Sequence, residues 1–381
     1  MVSLFTDTAS EMLYPIMPIY LKSIGFSILL IGVIEGIAEA TAGLSKGYFG
    51  KVSDATGKRV PFVQLGYALS ALSKPLMAVF VYPIWILFSR TIDRLGKGIR
   101  TGARDALLSD EATPATKGKV FGFHRGMDTL GAVLGPTFAL VYLYYYPANY
   151  KTLFLIAFIP GILSVLSSLF LSKKKEIPNP SKNKVSFFSF LHYWKDSPAS
   201  YRKVVIGLLA FTLFNSSDVF LLLKAKQSGL NDTWVIGVYI FYNLVYAAFA
   251  FPLGILADKV GLRKIFISGL MLFTIVYLGM SFNTNLYIYF LLFFLYGIYA
   301  AATEGIAKAW ISNISKKEDT ATSIGTYSAF QSICTMLASS LAGLIWYTAG
   351  SSVTFLLTGI TTLAVIIYFL LATSNPKQQV A

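Results

Sequence analysis

The chain is predicted to be an all-α integral membrane protein of twelve spanning helices, arranged as two pseudo-symmetric six-helix bundles. Three observations predict this. Of the 381 residues, 55% are hydrophobic and only 13% charged, and the apolar residues fall in runs of about 20, enough for a helix to cross ~30 Å of hydrocarbon. Lysine and arginine concentrate in alternate segments between those runs. Finally, one polar phrase occurs twice, about half the sequence apart. Gly50-Lys51-Val52-Ser53-Asp54-Ala55-Thr56-Gly57-Lys58-Arg59 reads G-x-x-x-D-x-x-G-K-R, and Gly254-Ile255-Leu256-Ala257-Asp258-Lys259-Val260-Gly261-Leu262-Arg263-Lys264 reads G-x-x-x-D-K-x-G-x-R-K. Each copy follows the second apolar stretch of its half, and two related halves in a membrane usually carry something across it.

In order, spans are expected at 3–22, 27–49, 61–81, 83–99, 118–143 and 151–172, then at 204–226, 233–256, 264–282, 285–312, 322–346 and 351–373. The division is residues 1–172 for the first bundle, 173–203 for a polar linker and 204–381 for the second bundle. Pro15 and Pro18 should bend the first helix and Pro75 the third, because proline lacks the backbone donor. Orientation follows from the basic residues. One set of loops holds Lys51, Lys58, Arg59, Arg100, Arg104, Lys117, Lys119, Arg202, Lys203, Lys259, Arg263, Lys264, Lys316 and Lys317, and the linker adds Lys173, Lys174, Lys175, Lys182 and Lys184. The alternate loops offer little beyond Lys22, Lys151, Lys224 and Lys226. Both termini and the linker are therefore expected in the cytoplasm, with the chain in the cell (inner or plasma) membrane.

Within the linker, 173–184 reads as a solvated basic tether. Residues 185–194 are apolar but too short to span. Two readings stay open for them: they lie along the inner leaflet near Arg202 and Lys203, or they pack beneath the helices.

The composition excludes several classes. A net charge of +14 placed between apolar runs points to membrane topology rather than to nucleic acid. The single Cys334 allows no internal disulfide, and with only His124 and His192 no metal-ligand cluster is expected. No cleavable-signal pattern precedes the first span. The loops carry no Ser/His/Asp grouping and no phosphate-cradling G-x-x-x-x-G-K-[ST], so neither an enzyme nor phosphate-driven transport is expected, and no cofactor. The matched halves and the absence of a sizeable extramembrane domain argue against a receptor.

At the twin phrase the chain resembles the major facilitator superfamily, over essentially its whole length. The phrase is similar to that family's loop signature between the second and third spans and between the eighth and ninth. Its logic is readable: the glycine permits close helix approach, and the aspartate can accept hydrogen bonds at a neighbouring helix N-terminus. The resemblance implies the major facilitator fold, alternating access by rocking of two halves about a midplane site, and contacts that lock the outward-open state. It makes Gly50, Asp54, Arg59, Gly254, Asp258 and Arg263 gating candidates. The first copy departs from the pattern at Ala55, where a basic residue is common.

A second signature lies in the fifth span. Gly122, Gly131, Gly135 and Pro136 give G-x8-G-x3-G-P, similar to the antiporter-associated motif of the family's drug-efflux branches, although Ala139-Leu140 replace the usual paired glycines. Gly131, Gly135 and Pro136 join the gating candidates; a well-packed helix interface is the plainer reading. In the fourth span Arg90 fits the family's arginine. The charge-rich stretch Thr91-Ile92-Asp93-Arg94-Leu95-Gly96-Lys97-Gly98-Ile99-Arg100, with Arg104-Asp105 and Phe121-Gly122-Phe123-His124-Arg125-Gly126-Met127-Asp128, resembles a bacterial subgroup of these permeases often left without an assigned substrate.

Ionisable residues inside spans are costly, which makes each a functional candidate. Asp7 and Glu11, Glu35 and Glu39, Arg90 and Arg94, and Glu304 and Lys308 are each four apart, and Arg125 and Asp128 three apart, so each pair shares one helical face that should point inward. Asp218, beside Asn215, Ser216 and Ser217, adds a polar point in the second half. A carboxyl in a low-dielectric cavity keeps its proton until a guanidinium approaches. Glu11, Glu35, Glu39 and Asp93 are thus candidate proton carriers, with Arg90 and Arg94 as countercharges. Arg125–Asp128 and Glu304–Lys308 read equally well as fixed ion pairs, and Asp7 as a residue meeting water near a helix end. Tyr242, Asn243 and Gln331 are candidate cavity-lining residues. The expected activity is proton-coupled export of a small amphiphilic compound, with proton-coupled uptake of a metabolite or metal-chelate as the alternative. The expected partners are that small molecule, a coupling proton (or sodium) and membrane lipid, and the expected state is a monomer.

Overall fold

The computed structural model describes residues 1–171, 186–215, 217–230, 232–283 and 285–372. The basic tether 173–184, Val185, Ser216 and the end of the last expected span at residue 373 lie outside the described residues. Among the described residues the chain is helical, with no strand.

The first expected span is two helices, α1 (Val2–Glu11) and α2 (Met17–Ser23), separated by a turn over residues 12–16. Pro15 sits in that turn and Pro18 in the first turn of α2, where a missing backbone donor is tolerated. Next come α3 (Ile28–Thr56), α4 (Arg59–Val79), α5 (Pro83–Asp110), α6 (Lys117–Tyr145) and α7 (Tyr150–Leu169). Ser27 caps α3 by accepting from the Leu30 amide. Gly57, at φ +66°, ends it in the left-handed conformation that glycine adopts without strain.

After the undescribed stretch, a 3₁₀ turn (Ser189–His192) runs into the single-turn α8 (Tyr193–Asp196). The seventh expected span is again two helices, α9 (Ala199–Phe214) and α10 (Val219–Gln227), interrupted before Asp218. The chain continues as α11 (Asp232–Val260), α12 (Leu262–Phe282), α13 (Leu286–Ile314), α14 (Thr320–Ala349) and α15 (Ser351–Ala372). Gly261, at φ +110°, makes the reversal between α11 and α12.

Among the described residues, eight helical stretches are long and apolar enough to cross a membrane: α6, α7, the broken α9–α10, most of α11, α12, most of α13, α14 with its leading turn, and α15. The expected spans before residue 117 are interrupted (α1–α2) or carry ionisable residues, most of all α5, which holds Arg90, Asp93, Arg94, Lys97, Arg100, Arg104, Asp105 and Asp110. Leu155, Ile159 and Leu166 on α7, and Ile360 and Ile367 on α15, are exposed as lipid-facing residues are.

The helices gather into two compact units. One comprises residues 1–108, 127–195 and 317–329; the other comprises 109–126, 196–316 and 330–381. In the first unit the turn between α1 and α2 is itself core: Met12, Leu13 and Ile16 are buried with Met77, Phe154 and Ala157. Glycine sets the spacing there. A methyl on Gly135 of α6 would stand 2.6 Å from both the Met12 amide nitrogen and the Thr8 carbonyl of α1, and one on Gly131 would stand 2.8 Å from the Leu4 carbonyl. The second unit packs on aromatic rings, with Phe273 stacked on Tyr277 (centroids 4.0 Å apart) and Phe266 edge-on to Phe369.

Replacing Gly135 by Leu drives a side chain into the backbone of α1 and is expected to cost about 1–3 kcal/mol or more through overpacking. Thermal unfolding of the detergent-purified chain should show a clear drop. Gly36→Ala, where nothing lies within 4 Å of the added carbon, should leave the transition unchanged.

Candidate functional site

In the first unit, two arginines and two glutamates form a ladder between α5 and α3. The Arg90 guanidinium forks onto Glu35, its Nε 2.8 Å from Oε1 and its Nη2 2.5 Å from Oε2. One turn further, Arg94 reaches Glu39 at 3.1 Å. Four-residue spacing on both helices makes the rungs parallel. The arginines are buried, while Glu35 is 29% and Glu39 54% exposed in the side chain, so the carboxylates occupy the open side of each pair.

Asp93 leaves α5 in another direction. It is buried against Lys74 of α4 at 2.8 Å and also accepts the Ser70 hydroxyl at 2.6 Å and that of Ser73 at 3.3 Å. The Lys74 ammonium in turn bonds the Ser10 hydroxyl of α1 at 3.2 Å. The structure therefore brings Glu35, Glu39, Arg90 and Arg94 together and puts Asp93 in a separate, closed pair. Lys74 is absent from the sequence candidates; a lone lysine in an apolar run is the signal that could have found it.

Glu11 is the last residue of α1, at the edge of the α1–α2 interruption. Glu11, Glu35, Glu39 and Arg94 all lie within electrostatic reach of Tyr14. Lys97, absent from the sequence candidates, acts on Glu39, Asp7 and Glu11. Asp7 in turn is in reach of Asp128, Arg100 and Glu11. The Gly131–Gly135 stripe that seats α6 on α1 is thus also what positions Asp7 and Glu11. Further along α5, Arg100 lies over the Tyr67 ring at 4.7 Å and Arg104 pairs with the fully buried Asp105 at 2.9 Å.

In the second unit Asp218 precedes α10 but does not cap it with its side chain. Its two oxygens instead accept the hydroxyls of Tyr242 at 2.6 Å and Tyr296 at 2.5 Å. Asn215, across the same interruption, donates to the Tyr299 hydroxyl at 3.2 Å, and Phe293 stacks on Tyr242. Arg125 bonds Glu304 of α13, and its Nε donates to the Tyr246 hydroxyl at 2.5 Å. The structure thus gives Arg125 a partner on another helix, beyond the Asp128 read from helical spacing.

The twin phrase makes two equivalent junctions, one in each unit. Asp54 at the end of α3 accepts the Thr322 amide at 2.6 Å and the Thr322 hydroxyl at 2.8 Å, which caps the first turn of α14. Asp258 near the end of α11 accepts the Gly118 and Lys119 amides, each at 2.7 Å, which caps α6. The glycines make these approaches possible. A methyl on Gly50 would stand 2.5 Å from the Ala321 carbonyl, and Gly254 lies against the Gly118 carbonyl even more closely. The arginines diverge: Arg59 lies 3.5 Å from Asp54 and donates to the Lys317 carbonyl at 3.3 Å, whereas Arg263 donates to the Phe369 and Leu370 carbonyls near the end of α15. Burial pushes the Asp54 carboxyl up to about 7, against the downward pull of Arg59 and of the Thr322 donors.

The Lys74–Asp93 pair predicts a particular stability pattern. Lys74→Met leaves Asp93 buried without its counter-ion and should cost about 3–5 kcal/mol. The double variant Lys74→Met/Asp93→Asn should recover most of that loss in thermal unfolding.

Comparison with known proteins agrees with the fold. The family model described as Major Facilitator Superfamily matches residues 1–242 and 233–381. An uncharacterised major-facilitator-type transporter of Methanocaldococcus jannaschii is 35% identical over 350 residues, 90% of this chain and 86% of the relative. Among solved structures, the human organic anion transporter MFSD10 aligns with a TM-score of 0.81 at 18% identity, over 97% of both chains. The Escherichia coli fucose:proton symporter aligns with a TM-score of 0.78 at 12% identity, over 97% of this chain and 96% of that one. The chain belongs to the major facilitator superfamily, and it is accordingly a multi-pass membrane transporter rather than an enzyme.

Proposed function

We propose that this transporter works by alternating access and exports a small amphiphilic compound in exchange for protons. The observation that carries this reading is the pair of helix interruptions at matching places in the two sequence halves. α1 breaks from α2 beside Glu11, and α9 breaks from α10 beside Asp218. Interrupted helices at corresponding positions of repeated halves are where transporters place substrate and ion sites, because freed backbone groups there need polar partners. Asp218 within its tyrosines suits a cargo that is partly aromatic or apolar, and the Glu35–Arg90 ladder supplies ionisable groups of both signs.

The chemistry is a proton exchange. The Arg90–Glu35 ion pair is the coupling point in this reading, closed in one state of the exchange and parted in the other. Glu11 and Glu39 are further carriers, in reach of Lys97 and Arg94. Asp93, closed onto Lys74, serves as the structural anchor that fixes α5. Asp54 and Asp258 are the releasable caps of α14 and α6, with Gly50 and Gly254 setting the approach. Gly131, Gly135 and Pro136 carry any shift of α1 into α6. The termini face the cytoplasm, the chain sits in the cell membrane, and it acts as a monomer.

Reconstituted vesicles test direction and coupling together. With an acid interior, exchange moves cargo inward as protons leave, while symport moves it outward. A panel of fluorescent amphiphiles would show which compounds respond. Glu35→Gln should lower proton-driven accumulation at least about tenfold while counterflow of cargo persists; coupling that survives intact would remove Glu35 as a carrier.

Asp54 predicts a pH dependence of its own. The capped arrangement holds this carboxyl at about 7, and once α14 leaves it returns toward 3.8. The capped arrangement binds the proton more tightly, so it gains stability as pH falls from 7 toward 4 and loses it as pH rises through 7. Spin labels introduced by Thr56→Cys and Glu318→Cys, with Cys334→Ser, should show the short-distance population falling as pH rises from about 4 to about 7. Asp54→Asn should flatten that step.

A further inference from the structure

The segment that enters α8 touches both partners of the Asp54 junction. Phe190 is 1% exposed. Its ring lies flat on Gly47 of α3, where a methyl would stand 2.6 Å from two ring carbons. Its carbonyl accepts the Thr326 hydroxyl of α14 at 3.4 Å, and the Ser189 carbonyl accepts the Lys51 ammonium of α3 at 3.2 Å. One short turn thus spans α3 and the start of α14. Its opposite side is apolar and open: Phe187, Phe188 and Leu191 are 42%, 56% and 39% exposed.

We propose that residues 186–196 form a membrane-surface clamp. Phe190 pins α3 to α14, while Phe187, Phe188 and Leu191 seat in the lipid leaflet on that side of the membrane, among anionic headgroups. Three observations favour lipid as the occupant. The Phe187 ring packs 5.1 Å from that of Tyr48, so the open patch continues the surface of a membrane helix. Lys51 bonds the segment at Ser189, and the segment itself carries His192 and Lys195 next to its apolar side chains in sequence, basic groups that complement anionic headgroups. Three side chains also fall far short of the ~800 Å² per partner that a stable protein interface buries, yet they suffice to anchor a turn already tethered at both ends.

The full chain with Cys334→Ser and Phe188→Cys, carrying an environment-sensitive fluorophore, tests the seating. It is compared in vesicles of phosphatidylcholine alone and of phosphatidylcholine with one quarter phosphatidylglycerol. Blue-shifted emission, quenched at least about twofold by lipids brominated on the upper acyl chain and more strongly with the anionic lipid, supports the clamp. Water-like emission that brominated lipid leaves unchanged overturns it. So does emission that blue-shifts only at high protein density, which assigns the patch to a second copy. The pinning is read separately from the Thr56–Glu318 label distance. Phe190→Ala and the milder Thr326→Val should both broaden it, and Phe187→Ser/Phe188→Ser/Leu191→Ser should broaden it in vesicles but not in detergent. A distance that none of the three moves overturns the pinning.

Discussion

Every charge placed inside a low-dielectric bundle must be matched there or held open to water, and much of this architecture follows from that constraint. α5 alone brings arginines, a lysine and aspartates into the first unit, and their neighbours are arranged to answer them. Lys74 with two serine hydroxyls answers Asp93, Glu35 and Glu39 answer Arg90 and Arg94, and the Tyr67 ring answers Arg100. The two kinds of answer differ in consequence. Lys74 and Asp93 are both buried and hydrogen-bonded, and such a pair is strongly destabilised when broken. Glu35 and Glu39 are exposed on one side, so parting them from their arginines leaves carboxylates that are not fully buried. Burial is what separates the two kinds of pair.

A second constraint acts on the backbone. Helix ends leave unpaired amides, and the twin phrase satisfies them with a carboxylate from another helix rather than with a local cap. Asp54 does this for α14 and Asp258 for α6, and in both cases the accompanying glycine removes the side chain that would keep the helices apart. A local cap would survive any motion of the helix it closes. A cap supplied by a different helix is lost when the two separate, which makes these carboxylates sensitive to conformation in a way that an ordinary serine cap is not.

The sequence carried the fold class and family clearly, because hydrophobic run length, basic-loop asymmetry and a repeated phrase are all one-dimensional signals. It also carried the helical face of each charge, since spacing of three or four places residues on one side. It did not carry which other helix that face meets. Asp93 shares a helix with Arg90 and Arg94, yet it faces Lys74 of α4 instead of α3, since adjacent residues such as Asp93 and Arg94 are rotated by about 100° on a helix. Arg125 had a plausible partner one turn away, and Glu304 lies far along the chain. The break before Asp218 left only the polar run at Asn215 and Ser217 as a hint, whereas Pro15 announced its counterpart. For the short apolar segment before α8, Phe190 is buried against Gly47, as the packed reading expects, while Phe187 and Phe188 stand exposed.

The interruptions and the caps together make the chain more than a rigid bundle. A continuous helix through residues 12–16 would satisfy its own backbone and leave Glu11 in a regular stripe. The turn there keeps its amides bonded at Met12, Leu13, Tyr14, Ile16 and Met17, with Pro15 the residue that has no donor to give, and Met12, Leu13 and Ile16 bury apolar surface around it. Gly131 and Gly135 then fasten α6 to α1 just before this weak point, while the start of the same α6 depends on Asp258 for its cap. α6 is thus held at two places along its length, by Asp258 at its first turn and by α1 at Gly131 and Gly135.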